Sequence, residues 1–131
     1  MQLPPAGYLD RLKAAGTLKF LTVDIVGYGA IPTWDEPGPT TFESDGVRRS
    51  GTSTVIGLGQ NFLKFTQNRH SLGTGSGLCF GDSGSPQFER GTLRLLSTTT
   101  GGNGQCNSHN VNYRVNTAIA RSFLGQFLSL P

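Results

Sequence analysis

The residues of this chain whose types and spacing could do chemistry lie in Cys79-Phe80-Gly81-Asp82-Ser83-Gly84-Ser85-Pro86. A serine between glycines has two readings. One is a tight turn, because glycine supplies the positive-φ conformations that turns need. The other is a nucleophile, whose hydroxyl stands free on a sharp bend while backbone N–H groups point at the oxyanion that develops on an attacked carbonyl. Glycines on both sides would let that carbonyl approach. The acid at Asp82, the proline at Pro86 and the nearby cysteine make the pattern more specific than the glycines alone.

At neutral pH a serine hydroxyl needs an adjacent base. The two histidines, His70 and His109, fall in stretches that read as loops, and both are read as solvated loop residues. Cys79 and Cys106, the two cysteines, lack the close spacing of a metal site. On the residues alone they read as two buried thiols, as in an intracellular protein.

These residues need elements to position them. Residues 4–16 read as a short turn or helix, with Leu9 and Leu12 three apart and Gly16 as its stop. Alternation of Leu21, Val23 and Ile25 with Thr22 and Asp24 predicts a strand within Thr17–Tyr28, ended by Gly27 and Gly29. Residues 30–46, with three prolines and four carboxylates, read as one long loop in which Trp34 serves packing. Strands are predicted near Thr52–Leu58 and Asn61–Gln67, followed by a Gly/Ser loop over 68–77. A hairpin with arms near Pro86–Glu89 and Thr92–Thr99 turns at Arg90-Gly91, and a last strand lies near Val111–Asn116. Ile119, Phe123 and Phe127 at spacing four predict an amphipathic helix over Thr117–Leu130, capped by Asn116 or Thr117. About six strands and one helix therefore suggest a small barrel or sandwich.

Composition agrees. The 131 residues fit one domain, and 19 glycines with 7 prolines disfavour a helical bundle. A net charge of +3 is weak, and the adjacent pair Arg48-Arg49 reads as a solvated loop, so no nucleic-acid partner is expected. No apolar run approaches the roughly 18–20 residues that span a bilayer, so no membrane partner is expected. The first residues lack the basic and apolar regions of a signal peptide.

Gly81 to Pro86 resembles the GDSGGP nucleophile motif of the trypsin/chymotrypsin family of serine peptidases, with Ser85 in place of the second glycine of the pair. The likeness continues elsewhere. Gly27-Tyr28-Gly29 resembles the family's strand end before a long loop, and Leu95-Leu96-Ser97-Thr98-Thr99 resembles the segment that pairs with substrate backbone. Asn112-Tyr113-Arg114-Val115 and the helical stretch after it resemble the last strand and C-terminal helix. The resemblance covers nearly all of the chain but only the second half of the family's fold. It implies a single six-stranded antiparallel Greek-key barrel with a C-terminal helix over residues 1–131, the first barrel being absent.

That family likeness implies a serine endopeptidase acting through an acyl-enzyme on Ser83. The N–H groups of Gly81 and Ser83 would form its oxyanion hole. Asp82 would pair with an N-terminal ammonium released by cleavage of a pro-segment, or else cap its own loop. Gly77, six residues before Ser83, would be an uncharged pocket floor, with Ser97, Thr98 and Thr99 as a wall. The pocket would suit small to medium apolar side chains of a peptide or protein substrate. Cys79 and Cys106 would form a disulfide, implying a secreted or extracytoplasmic setting, and no metal or cofactor is implied. The family's catalytic His and Asp have no counterpart here. A fragment awaiting a partner half that carries them, and a degenerate remnant, both fit; either would be near-inert alone. The alternative function is a non-catalytic pseudoprotease or peptide-binding module.

Overall fold

The computed structural model describes residues 1–33, 39–67 and 76–131. Trp34 and His70 lie outside the described residues. Helix α1 (Tyr8–Ala14) comes first, then strands β1 (Thr22–Gly27), β2 (Ile31–Thr33), β3 (Thr41–Glu43), β4 (Arg49–Leu58) and β5 (Phe62–Thr66). Strands β6 (Pro86–Glu89), β7 (Leu95–Gly102) and β8 (His109–Arg114) and helix α2 (Ala118–Leu124) complete the order.

Six strands close an antiparallel barrel in the order β1-β4-β5-β8-β7-β6. Three antiparallel barrel strands, β1, β4 and β5, are neighbours in chain order, and the next barrel strand, β6, returns to lie beside β1, which is a Greek-key arrangement. Alternation explains the barrel's interior. Val23 and Ile25 on β1, Val55 on β4, and Leu63 and Phe65 on β5 are buried, while their neighbours in sequence are mostly less so. Leu9 of α1 and Leu18 join that core from outside the strands.

Four sequence expectations need correction. The strand expected from Thr17 starts at Thr22, because Leu18–Phe20 form a 3-10 turn that buries Leu18 and leaves Phe20 exposed. Residues 30–46 are not one loop: β2 and β3 pair as a short hairpin within them. The last barrel strand runs over His109–Arg114 and pairs Thr66 with His109, so His109 belongs to a strand rather than a loop. Helix α2 stops at Leu124 instead of Leu130; Gly125 is its C-cap, and Thr117 accepts the Ala120 N–H at its start.

Candidate active site

Ser83 lies on an exposed bend that leads into β6. Its neighbours Gly81 and Gly84 have φ of 96° and 81°, values that L side chains rarely adopt. Hydrogen bonds fix the bend: Asp82 N donates to Cys79 O at 3.1 Å, and Ser85 N to Asp82 O at 2.9 Å. Gly84 N donates to Thr99 O at 2.9 Å and Thr99 N to Ser85 O at 3.0 Å, which ties the bend to β7. Within the described residues no hydrogen bond engages the N–H of Gly81 or of Ser83.

Asp82 is buried, and both its carboxylate oxygens are taken by backbone. Oδ1 accepts the Gly29 N–H at 2.8 Å and Oδ2 the Cys79 N–H at 2.9 Å. Of the two roles expected for it, the cap is the one the described residues fill; no cation pairs with it among them. A Cβ on Gly27 or Gly29 would collide with this carboxylate. These two glycines do more than end β1. They open the space into which an acid from 53 residues further along the chain fits.

Beneath the bend lies a polar network that sequence reasoning missed. Gln87, fully buried on β6, donates to Ser85 O at 2.8 Å and to Thr99 Oγ1 at 2.6 Å, and accepts from Ser97 Oγ at 2.8 Å. Ser85 Oγ lies 2.9 Å from Thr99 Oγ1. The network's only sequence signal is a glutamine in a strand where an apolar residue would otherwise sit.

A cleft of about 230 Å³ opens beside Ser83. Its mouth holds the exposed residues Ser83, Thr100, Gly101 and Gly102, and its inner side the buried residues Gln67, Leu78 and Asn110. The Cys79–Cys106 disulfide, with Cα atoms 5.4 Å apart, joins the bend to the loop after β7 along this cleft.

The structure brings Ser83, Cys79, Cys106 and Thr99 together at the cleft, but not the other expected pocket residues. Gly77 lines a separate cavity beside Asp82, and a Cβ on it would meet the Gln67 side chain at 2.9 Å. Ser97 is buried in the network below, and Thr98 pairs with Pro86 and Tyr113. The wall instead continues from Thr99 to Gly102, because β7 runs three residues past its expected end, with a pairing irregularity between Thr99 and Gly101.

Among the described residues, no imidazole or carboxylate hydrogen-bonds the Ser83 hydroxyl. His109 Nδ1 lies 3.1 Å from Ser108 Oγ. No group of three or more His, Cys, Asp or Glu that could hold a metal gathers among the described residues. No protein-family model matches the chain, and no curated protein matches it.

Proposed function

We propose that the chain is the nucleophile-bearing barrel of a trypsin-like serine endopeptidase, in which Ser83 attacks a peptide carbonyl and water hydrolyses the resulting acyl-enzyme. One observation carries this reading. An exposed serine stands between two positive-φ glycines, and at the same bend no hydrogen bond among the described residues engages the N–H groups of Gly81 and Ser83. Unpaired backbone donors beside a serine are what a developing oxyanion would take. The likeness of Gly81–Pro86 to the family motif and the closed six-strand barrel also support it. So does the Cys79–Cys106 bond, which suits an oxidising, extracytoplasmic setting and thus a secreted protein.

The nucleophile needs a proton acceptor. We assign that role to a partner half carrying His and Asp. The exposed apolar residues Ile119, Phe123 and Phe127 at and just after α2 support a partner surface, since clustered exposed apolar side chains usually mark one. Without the acceptor, oxyanion stabilisation and binding alone leave about 10³–10⁴-fold catalysis over water. A second reading, a non-catalytic peptide-binding module, is favoured by the lack of a base at Ser83 among the described residues.

A fluorophosphonate probe separates the two. Labelling of Ser83 is expected to be negligible in buffer, to rise with added imidazole as an external base, and to vanish in Ser83→Ala. No labelling even at high imidazole would favour the binding module. Stoichiometric labelling in buffer alone would overturn the claim that the base lies elsewhere.

A further inference from the structure

All three lysines of the chain gather around one shallow groove of about 240 Å³ beside β4. Lys13 and Lys19 line it, and the stem of Lys64 lies against Gly57, which lines it too. Lys13 Nζ donates to Leu58 O at 3.3 Å, and Lys19 Nζ stands 5.0 Å from the centre of the Phe20 ring. Two apolar side chains are exposed among these cations, Phe20 at 74% and Ile56 at 57%. Leu21 O accepts the Val55 N–H at 3.0 Å, and Phe20 and Ile56 each stand one residue beyond that bond. No lysine belongs to an ion pair among the described residues. The described carboxylates are committed elsewhere: Asp10, Asp45 and Glu89 to arginines, Asp24 and Asp82 to backbone N–H groups, and Glu43 on the β2–β3 hairpin.

We propose that this face docks on an anionic lipid bilayer, with Phe20 and Ile56 entering the headgroup layer and the lysines meeting lipid phosphates. Exposed apolar side chains inside a charged rim mark an interaction site. A bilayer surface answers both parts at once, since it offers negative charge at the headgroups and an apolar boundary just beneath them. A soluble polyanion would meet the lysines but leave Phe20 and Ile56 in water. Two side chains are also too few for the centre of a stable protein interface, which buries about 800 Å² per partner. The choice of cation points the same way. Arg49, Arg94 and Arg114 sit in ion pairs, and Arg121 donates to Pro4 O. A rigid guanidinium fork suits such fixed partners, whereas an ammonium on a flexible stem is a point charge that follows mobile headgroups. The expectation of no membrane partner rests on the lack of a spanning run, and a contact at the surface needs none. The groove shares no lining residue with the cleft beside Ser83, so the proposal stands apart from the nucleophile reading.

The test is sedimentation of the full chain with vesicles of phosphatidylcholine alone and of equal parts phosphatidylcholine and phosphatidylglycerol. Binding is expected to the mixed vesicles only, and to weaken as salt rises. Lys19→Gln and Lys64→Gln should each bind roughly fivefold more weakly, the worth of one cation beside an anionic leaflet. Arg48→Gln removes the same charge just before β4, at the opposite end of that strand from Ile56, and should change binding little. Phe20→Ser should also weaken binding, with unfolding unchanged because the ring is exposed. The pair Ile119→Ser/Phe123→Ser should bind as the wild type does, which separates this face from the apolar residues of α2. Equal binding of the wild type to the two vesicles, or binding to neither, would overturn the proposal without any variant having to fold. So would equal losses from Lys19→Gln and Arg48→Gln, binding unaffected by Phe20→Ser, or binding lost in Ile119→Ser/Phe123→Ser. Retention on polyglutamate with no binding to either vesicle would give the face to an acidic protein instead of a lipid surface.

Discussion

The Asp82 carboxylate accepts the Gly29 N–H at 2.8 Å and fills the space where a side chain on Gly29 would begin. Because its other oxygen holds the Cys79 N–H, one buried acid ties the turn after β1 to the serine bend. Gly29→Ala must displace that carboxylate and leave both donors short of a partner. Hydrogen bonds to charged groups are worth roughly 1.5–3 kcal/mol each, so a loss of about 3 kcal/mol is expected in urea unfolding. Gly57→Ala is the control, since a Cβ there meets only Lys64 at ordinary distances of 3.8 and 3.9 Å. Equal losses from the two variants would refute the coupling.

The Cys79–Cys106 disulfide closes a loop of sequence separation 27 that contains the serine bend, β6 and β7. Constraint of the unfolded chain predicts a contribution of about 3–4 kcal/mol. The double variant Cys79→Ala/Cys106→Ala should lose that much stability by denaturant titration. Its cleft should also lose peptide affinity, because the bond holds two of the cleft's lining segments together. Unchanged stability would show that the loop is held by its hydrogen bonds instead.

A feature is legible in the sequence to the extent that its cause is local. The serine bend is legible because the positive φ at Gly81 and Gly84 is a property of single residues. Likewise β1 and β5 are legible from period-two burial of Val23 and Ile25, and of Leu63 and Phe65. The inner side of the cleft is not. Gln67 and Asn110 are distant in sequence, and their relation comes from pairing of β5 with β8 and from the shared Leu78 backbone. Nor does the spacing of Ile119, Phe123 and Phe127 reveal that all three stay exposed: a stripe records amphipathicity, not what covers it.

Arg114 and Asp10 form an ion pair of unequal halves. The Arg114 side chain is 2% exposed and that of Asp10 58%. Arg114 also donates to Gly59 O at 2.7 Å, Gln60 O at 3.1 Å and Asn116 Oδ1 at 3.2 Å. Arg114→Met strips donors from three acceptors and should cost roughly 3 kcal/mol. Asp10→Asn leaves those three bonds in place and removes a largely solvated partner, so it should cost under about 1 kcal/mol. Thermal unfolding that shows equal losses would contradict this asymmetry.

Asp45 is held well below the usual carboxylate range, chiefly by the Arg49 guanidinium, which donates to its two oxygens at 2.8 and 2.6 Å, and next by the Val47 N–H. A depressed folded value means that any stability from the pair is present above the unfolded carboxyl range, near pH 4, and is lost as pH falls through the folded value. Both side chains are half exposed, so screening keeps the effect on stability small. Carboxyl-carbon NMR should find the Asp45 midpoint moving up toward the ordinary range in Arg49→Gln. An unmoved midpoint would assign the shift to the Val47 N–H.

Helix α2 presents Ile119 at 65% exposure and Phe123 at 61%, with Phe127 at 70% just beyond it and its ring 5.4 Å from that of Phe123. At about 25 cal/mol per Å² of apolar surface removed from water, covering such a stripe is favourable for any partner that fits it. In the absence of a partner half, a second copy of the chain is the apolar surface at hand. Sedimentation velocity should therefore detect concentration-dependent self-association, weakened by salt far less than a charged contact would be. Ile119→Glu/Phe123→Glu should return the chain to a monomer while leaving unfolding nearly unchanged, because neither side chain is buried within the domain. A wild-type chain that stays monomeric at high concentration would remove the stripe as a reason to expect a partner, and with it the support that α2 lends to a separate half carrying the base.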